Sequence, residues 1–531
     1  MRCVIDATEL ARAVVRRWRA IGVEHVVLCP GSRSAPLAFA AHAAAQRGEL
    51  TLHTRIDERT AAFLALGAAK ASGRPAVVFT TSGTAAANLH PAVLEAAHAA
   101  VPLLAVTADR PASLRGTNAN QTTDQVGMFG SACTTVDVSR PEDLVGLTVV
   151  GGPSHLNVQF EAPLVPNPAG FDADLATAPE ALADAGQPPN PTVLQPGRRT
   201  VVVAGDNAGP PARTLAEAAN WPLFAEPSSG SRTGANVIAT YRLLLDTELG
   251  GQIQRVVVFG HPTLSRPVTR LLSRPGLEVV SVPAAGRWAA RPHPVSLAAP
   301  GLRVEQPDDP TWLSQWHELD QAITQRLEAL VLGELGPHAV AREVSLGVPP
   351  GGMLYVGASN PIRDLDLMAV SPPPGQHRKV LANRGLAGID GTLSSAIGAA
   401  LTRPGRRNLA LVGDVTFLHD LTGLVIGPEE QRPDLTIVVV NDNGGSIFAV
   451  LEQGAPEYAS SFDRLFAIPH GLDLGAVCAA LHVPHWRVHS IAELRHALTV
   501  PNGGIDVIEA VCRRDQRREL DEQIRSLSAP D

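Results

Sequence analysis

The chain has 531 residues, too many for one hydrophobic core, and ordinary domain sizes predict about three or four domains. With 45% hydrophobic and 18% charged residues it has the composition of a globular chain rather than a disordered one. The formal charge of −8 supplies no basic field for nucleic acid. Five cysteines (Cys3, Cys29, Cys133, Cys478, Cys512) are scattered and form no C-x-x-C pair. That excludes a disulfide framework and a thiolate metal site, and points to a reducing compartment. No apolar run is long enough to cross a bilayer and no secretory apolar segment precedes the first helix, so membrane insertion is not expected and a cytoplasmic protein is.

Leu10, Val14, Trp18 and Ile21 recur at helical spacing, with Asp6 or Thr8 placed to cap the start and Gly22 to stop it. His25–Leu28 follows as a short apolar strand. Val77–Thr81 and Leu103–Thr107 repeat the pattern, each ending in a loop rich in Ser, Gly, Asn and Arg. Apolar strands alternating with helices predict a parallel sheet covered on both faces, an α/β fold. The stretch 166–199 is dense in Pro, Ala, Gly and Asp and reads as a linker. A second α/β unit has strands near Val201–Ala204, Arg255–Phe259 and Glu278–Val282. After another Pro-rich stretch, a helix over about 310–332 leads to a third unit, with strands near Leu354–Val356, Lys379–Ala382, Asn408–Val412, Thr436–Val440 and Asp506–Glu509. The expected partition is therefore 1–165, a linker 166–199, 200–309 and 310–531.

Two strand ends in the third unit carry chemistry. One apolar strand closes on Gly413-Asp414, and the next on Asn441-Asp442-Asn443-Gly444-Gly445. Ligands of open parallel sheets gather at the carboxyl ends of strands. Oxygen ligands from two neighbouring ends suit a hard divalent ion that also grips a diphosphate. Either motif alone is an ordinary polar strand–loop junction; the pair at this spacing is the signal.

The G-D…N-x-x-G pair resembles the diphosphate–metal motif of thiamine-diphosphate enzymes. The surrounding segments resemble one branch, the 2-succinyl-5-enolpyruvyl-6-hydroxy-3-cyclohexene-1-carboxylate synthase family of menaquinone biosynthesis. They are Cys29–Ser34, Arg55–Arg59, Thr81–Thr84, Asn118–Gln121, Gly357–Pro361, Asn383–Gly391, Asp414–Asp420 and Asn443–Phe448. They fall in the first and third units; the middle unit adds little beyond Gly286-Arg-Trp288, where Arg287 is a weak candidate for a carboxylate. The resemblance implies three doubly wound parallel-sheet domains: pyrimidine-binding, central, and diphosphate-binding. It implies a homodimer or homotetramer with sites at the subunit interface. The implied cofactors are thiamine diphosphate and Mg2+ or Mn2+. The implied reaction decarboxylates 2-oxoglutarate and adds the resulting carbanion to isochorismate by 1,4-addition.

Residue by residue, the resemblance makes Glu58 the carboxylate that hydrogen-bonds the cofactor's pyrimidine ring, and Ile389 the stiff branched wedge under its bend. The metal set becomes Asp414, Asp442 and the Gly444 carbonyl, with Asn441 as the fallback side chain. Gly413, Val415, Gly445 and Ile447 complete the cofactor contacts. Both substrates are dicarboxylates, so Arg33, Arg110, Arg363 and Arg384 are expected to bind them by paired hydrogen bonds. Ser32, Asn120, Gln121 and Ser359 would supply neutral hydrogen bonds, and Phe448 and Leu451, with Ile447, an apolar wall. His419-Asp420 is assigned no proton transfer. Ser82-Gly83-Thr84 lacks the lysine of a phosphate loop. The run Arg513–Arg518 reads as a solvated helix face. The chain departs from the family between Ser139 and Pro153, where a longer helical stretch is usual. Its loss is expected to expose apolar surface and weaken the first domain.

Overall fold

A computed structural model describes residues 6–166, 190–288, 290–372, 375–500 and 503–528. Most of the expected linker, 167–189, lies outside the described residues. The chain forms two compact units. The first joins residues 1–185 to segments 385–404 and 419–433; the second holds 186–384, 405–418 and 434–531.

The first unit is built on a six-stranded sheet in the order Thr51–Thr54, His25–Leu28, Ala76–Thr80, Leu103–Asp109, Ser154–Gln159, Thr134–Val138. Every pairing is parallel. The central strands Ala76–Thr80 and Leu103–Asp109 are buried along their whole length, as expected where helices cover both faces. Asp6 caps the first helix, Ala7–Ala20, by accepting from the Thr8 N–H at 3.1 Å. Val14, Val15 and Trp18 on that helix are fully buried.

The shortened stretch after Ser139 folds as a 3-10 turn, Pro141–Leu144, and an extended tail. Leu144, Leu147 and Val149 are buried in the first unit's core beside Trp18, and Arg17 donates to the Leu147 carbonyl at 2.5 Å. Val145 and Val150 remain 85% and 87% exposed. The expectation of exposed apolar surface thus applies to these two side chains, while Leu144, Leu147 and Val149 are buried in the core.

The second unit holds two larger parallel sheets. One runs Leu297–Ala298, Glu278–Ser281, Arg255–Phe259, Thr200–Ala204, Leu223–Ala225. The other runs Lys379–Leu381, Met353–Val356, Asn408–Gly413, Leu435–Asn441, Ile505–Val511, His485–Val488. A short parallel pair, Thr192–Val193 with Leu302–Arg303, uses the end of the expected linker. The predicted helix spans Thr311–Val331 and buries Trp312, Trp316, Ile323 and Leu327. The four cysteines among the described residues are all free.

Candidate active site

Glu58 opens the helix Glu58–Ser72, whose cap Asp57 accepts from the N–H groups of Arg59 and Thr60. This helix crosses the helix Thr392–Leu401 of the same unit with backbones in contact. A Cβ on Gly67 would lie 1.9 Å from the Ser395 carbonyl oxygen, and one on Gly398 would lie 1.9 Å from that of Leu64. Gly391, at φ +61°, faces Phe63 just as closely. Phe63 meets residue 391, Gly67 meets Ser395 and the Leu64–Ala68 turn meets Gly398, so the two helices cross at close range. Glu58 opens the first helix, and Ile389 lies three residues before the second. Both residues are half-buried. Asp420, fully buried, accepts from the Ser394 N–H at 2.7 Å, and burial pushes its carboxyl up to about 7. It holds the start of the helix Thr392–Leu401.

The first unit also gathers Arg33 and Arg110. Arg110 donates to Ser82 Oγ at 2.9 Å and to the Gln121 carbonyl at 3.0 Å. Gln121 donates to the Ser82 carbonyl at 2.9 Å, so the two loops are tied together. Arg33 donates to the Phe160 carbonyl at 2.8 Å, and burial followed by the charge of Arg110 lowers its pKa. Ser32, Asn120 and Gln121 are exposed.

In the second unit the adjacent parallel strands Asn408–Gly413 and Leu435–Asn441 bring Asp414 and Asp442 together. They are 2% and 7% exposed. Asp414 Oδ2 accepts from the Gly444 N–H at 2.8 Å and from His470 at 3.2 Å, and its Oδ1 from the Val415 N–H at 2.7 Å. Burial raises the pKa of Asp414; burial and then the Asp414 charge push Asp442 up to about 7. Two buried carboxylates that oppose each other's ionisation form a site that a cation relieves. Among the described residues no group of three or more His, Cys, Asp or Glu could hold a metal. Two carboxylates plus the Gly444 carbonyl fit an ion that takes phosphate and water oxygens for the rest, as magnesium does. Gly444 sits at φ +136°, and a Cβ there would lie 2.2 Å from the Ala467 carbonyl oxygen. Asn441 is engaged elsewhere: it donates to Glu509 at 2.6 Å and accepts from the Asn443 N–H.

Past these strand ends Phe448 packs on Phe466, and Ile447 and Leu451 are half-buried. Ser359, at φ +74°, accepts through its carbonyl from Arg363 at 2.6 Å. Burial, then the charges of Arg384 and Arg242, lower the Arg363 pKa, and Arg242 donates to the Arg363 carbonyl at 2.9 Å. Arg384 is 5% exposed.

The charged run near the C-terminus is solvated only in part, at Arg513, Asp515 and Gln516. Arg517 is buried and forms a two-pronged pair with Asp364 at 2.5 and 3.1 Å. Arg514 donates to the Asn443 carbonyl and Arg518 to those of Ala449 and Leu451. The pattern of charges along the chain does not reveal these partners, which lie 67 to 153 residues away. Sequence reasoning likewise passed over His470, brought to Asp414 by an irregular segment, and Asn360, which donates to Ser446 at 2.9 Å.

Parallel sheets with a carboxylate pair and a glycine turn at adjacent strand ends are the arrangement that the resemblance to thiamine-diphosphate enzymes implies. Two family models agree: "Thiamine pyrophosphate enzyme, N-terminal TPP binding domain" matches residues 8–128, and the corresponding "C-terminal TPP binding domain" matches residues 368–501. Three similar proteins are each named 2-succinyl-5-enolpyruvyl-6-hydroxy-3-cyclohexene-1-carboxylate synthase. That of Nocardioides sp. is 59% identical, with 98% of each chain covered. That of Kineococcus radiotolerans is 46% identical over 98% of each, and that of Arthrobacter sp. is 43% identical over 98% of this chain and 92% of its own. The chain belongs to this synthase family.

Proposed function

We propose that the protein decarboxylates 2-oxoglutarate and adds the resulting carbanion to isochorismate, giving 2-succinyl-5-enolpyruvyl-6-hydroxy-3-cyclohexene-1-carboxylate and carbon dioxide. The observation that carries this reading is the set of four arginines. Arg33, Arg110, Arg363 and Arg384 are buried or half-buried, yet none is ion-paired with a carboxylate among the described residues. Their side chains are tied to carbonyl and hydroxyl oxygens instead. Desolvated guanidinium groups without carboxylate partners suit substrates that bring two carboxylates each. A decarboxylase for simple 2-oxo acids has no use for such a set.

When bound, thiamine diphosphate supplies a thiazolium carbanion that takes up the 2-oxo acid and stores the electron pair left by decarboxylation. Asp414, Asp442 and the Gly444 carbonyl hold the divalent ion and through it the diphosphate. The engagement of Asn441 with Glu509 supports Asp442 as the second side-chain ligand. Gly413, Val415, Gly445 and Ile447 line the diphosphate end, and Ile389 supports the bent conformation. Glu58 hydrogen-bonds the pyrimidine nitrogen and shares its proton. Ser32, Asn120, Gln121, Ser359, Phe448 and Leu451 complete the substrate pocket. The proposed organisation is a pyrimidine-binding domain (1–165), a linker (166–199) whose Thr192–Val193 pairs with Leu302–Arg303 of a central domain (200–309), and a diphosphate-binding domain (310–531) whose segments 385–404 and 419–433 fall in the first compact unit. Each site takes Glu58 from one copy and the metal ligands from a second, so the working form is at least a homodimer. Among the described residues no helix is long and apolar enough to cross a membrane, and we place the protein in the cytoplasm.

The test is carbon dioxide release from 2-oxoglutarate by purified protein with thiamine diphosphate and magnesium, with and without isochorismate. Release coupled to loss of both substrates is the expected result. Release indifferent to isochorismate would assign a different acceptor, and no release by folded protein would remove the reading.

A further inference from the structure

The central region supplies none of the substrate contacts proposed above, yet one of its loops holds Arg384. The loop follows the strand Arg255–Phe259 at its carboxyl end, where a parallel sheet presents ligand-binding groups. Thr263 in this loop accepts from Arg384 Nη2 through its hydroxyl at 3.0 Å. The next residue, Leu264, donates its N–H to Glu226 Oε1 at 2.9 Å. Glu226 is itself buried, 3% exposed, just past the strand Leu223–Ala225, two places from Arg255–Phe259 in the sheet. On the backbone side, Asn383 beside Arg384 accepts from the buried Tyr355 hydroxyl at 2.6 Å. Arg384 is thus fixed at both ends, and its buried Nε has no partner among the described residues. A buried N–H without a partner is costly unless a ligand satisfies it.

We infer that Thr263, held in place by Glu226, is a positioning residue that aims the Arg384 guanidinium at a substrate carboxylate. The inference rests on the proposed substrate role of Arg384. Thr263 accepts one of the two Nη2 N–H groups, and the other remains with the partnerless Nε as a donor; the two oxygens of a carboxylate match two parallel donors. Glu226 shapes the loop without competing for the guanidinium. It forms no ion pair with Arg384, and burial pushes its carboxyl up to about 8, against the Leu264 N–H and the Arg384 charge. Neutral near pH 7, it leaves the charge of Arg384 for the substrate. Arg363, whose pKa the Arg384 charge lowers, adds a second positive group.

The experiment compares wild type, Thr263→Val and Thr263→Ser, each loaded with thiamine diphosphate and magnesium. Valine keeps the shape and removes the hydroxyl; serine restores it. Equilibrium binding of isochorismate and of glutarate, neither of which turns over alone, is measured by calorimetry beside steady-state kinetics. Thr263→Val is expected to weaken at least one dicarboxylate about tenfold, the scale of a hydrogen bond to a charged group. The corresponding KM should rise as much, with kcat within about twofold, and Thr263→Ser should recover most of the loss. Unchanged binding, a fall in kcat with KM unmoved, or no recovery by serine would overturn the inference. Wild type that binds neither dicarboxylate and releases no carbon dioxide would instead remove the functional reading beneath it.

Discussion

Substituting Gly398 by alanine tests whether the helix crossing sets the geometry at Glu58. The new Cβ would lie 1.9 Å from the Leu64 carbonyl oxygen and 3.1 Å from the Ala68 N, both backbone atoms. Cβ contacts under 3.0 Å are essentially never seen, so the helices must separate by at least 1.1 Å at this point. No rotamer change relieves the clash, because neither partner is a side chain. Overpacking of this kind costs about 1–3 kcal/mol. A shift of roughly 1 Å at a catalytic group can cost about 10²-fold in rate. The separation acts between the Glu58 helix and the helix after Ile389, so both losses are expected together. The assay is carbon dioxide release at saturating substrates beside the urea midpoint of the same preparation. Gly333→Ala is the control, since nothing lies within 4 Å of its Cβ. Gly398→Ala with normal kcat and an unmoved midpoint would refute the claim that backbone contact fixes this end of the site.

Three further outcomes are expected. Glu58→Gln should keep metal and diphosphate affinity, measured by calorimetry, while nearly abolishing turnover; full activity would remove Glu58 from the proton relay. Asp420 has a folded pKa of about 7 against an ordinary 3.8, so folding favours its protonated form and that advantage is lost as pH rises from about 4 to 7. Asp420→Asn keeps an acceptor for Ser394 and stays neutral, so near pH 8 it should gain roughly 1–3 kcal/mol by urea unfolding, shrinking to nothing near pH 4; a constant difference would discard the assignment. Arg517→Met leaves the buried Asp364 without its two-pronged partner and should cost about 3–5 kcal/mol. Asp364→Leu added to it should recover part of that loss, and an unmoved urea midpoint for the single variant would show that the pair carries no stability.

The parts of the fold legible in the sequence are those whose cause is local. Buried central strands such as Ala76–Thr80 and Arg255–Phe259 are apolar runs between turn residues, and their positions follow from that alone. The strand Thr134–Val138 was missed because it is a polar edge strand. Its Thr135 and Asp137 face a network with His155, Asn157 and Arg115, so no apolar run marks it. His485–Val488, with Trp486 45% exposed, is missed for the same reason.

The candidate site divides along the same line. Asp414 and Asp442 are legible because each ends a strand, and parallel register then brings adjacent strand ends together. What holds them is not legible. His470 reaches Asp414 from an irregular stretch that begins at Ile468, a branched residue at φ +46°. Arg514 and Arg518 look solvated in the sequence yet anchor the loop from Asn443 to Leu451 through its carbonyl oxygens. A carbonyl acceptor is present at every residue, so it leaves no mark in composition or charge pattern. Thr263 and Glu226 behave alike: each makes one directed bond across a long sequence separation, to Arg384 and to the Leu264 N–H. Side-chain ligands of a metal must carry particular atoms and are therefore visible as motifs. The groups that orient them need only a donor or acceptor at the right place, and the folded chain is what specifies that place.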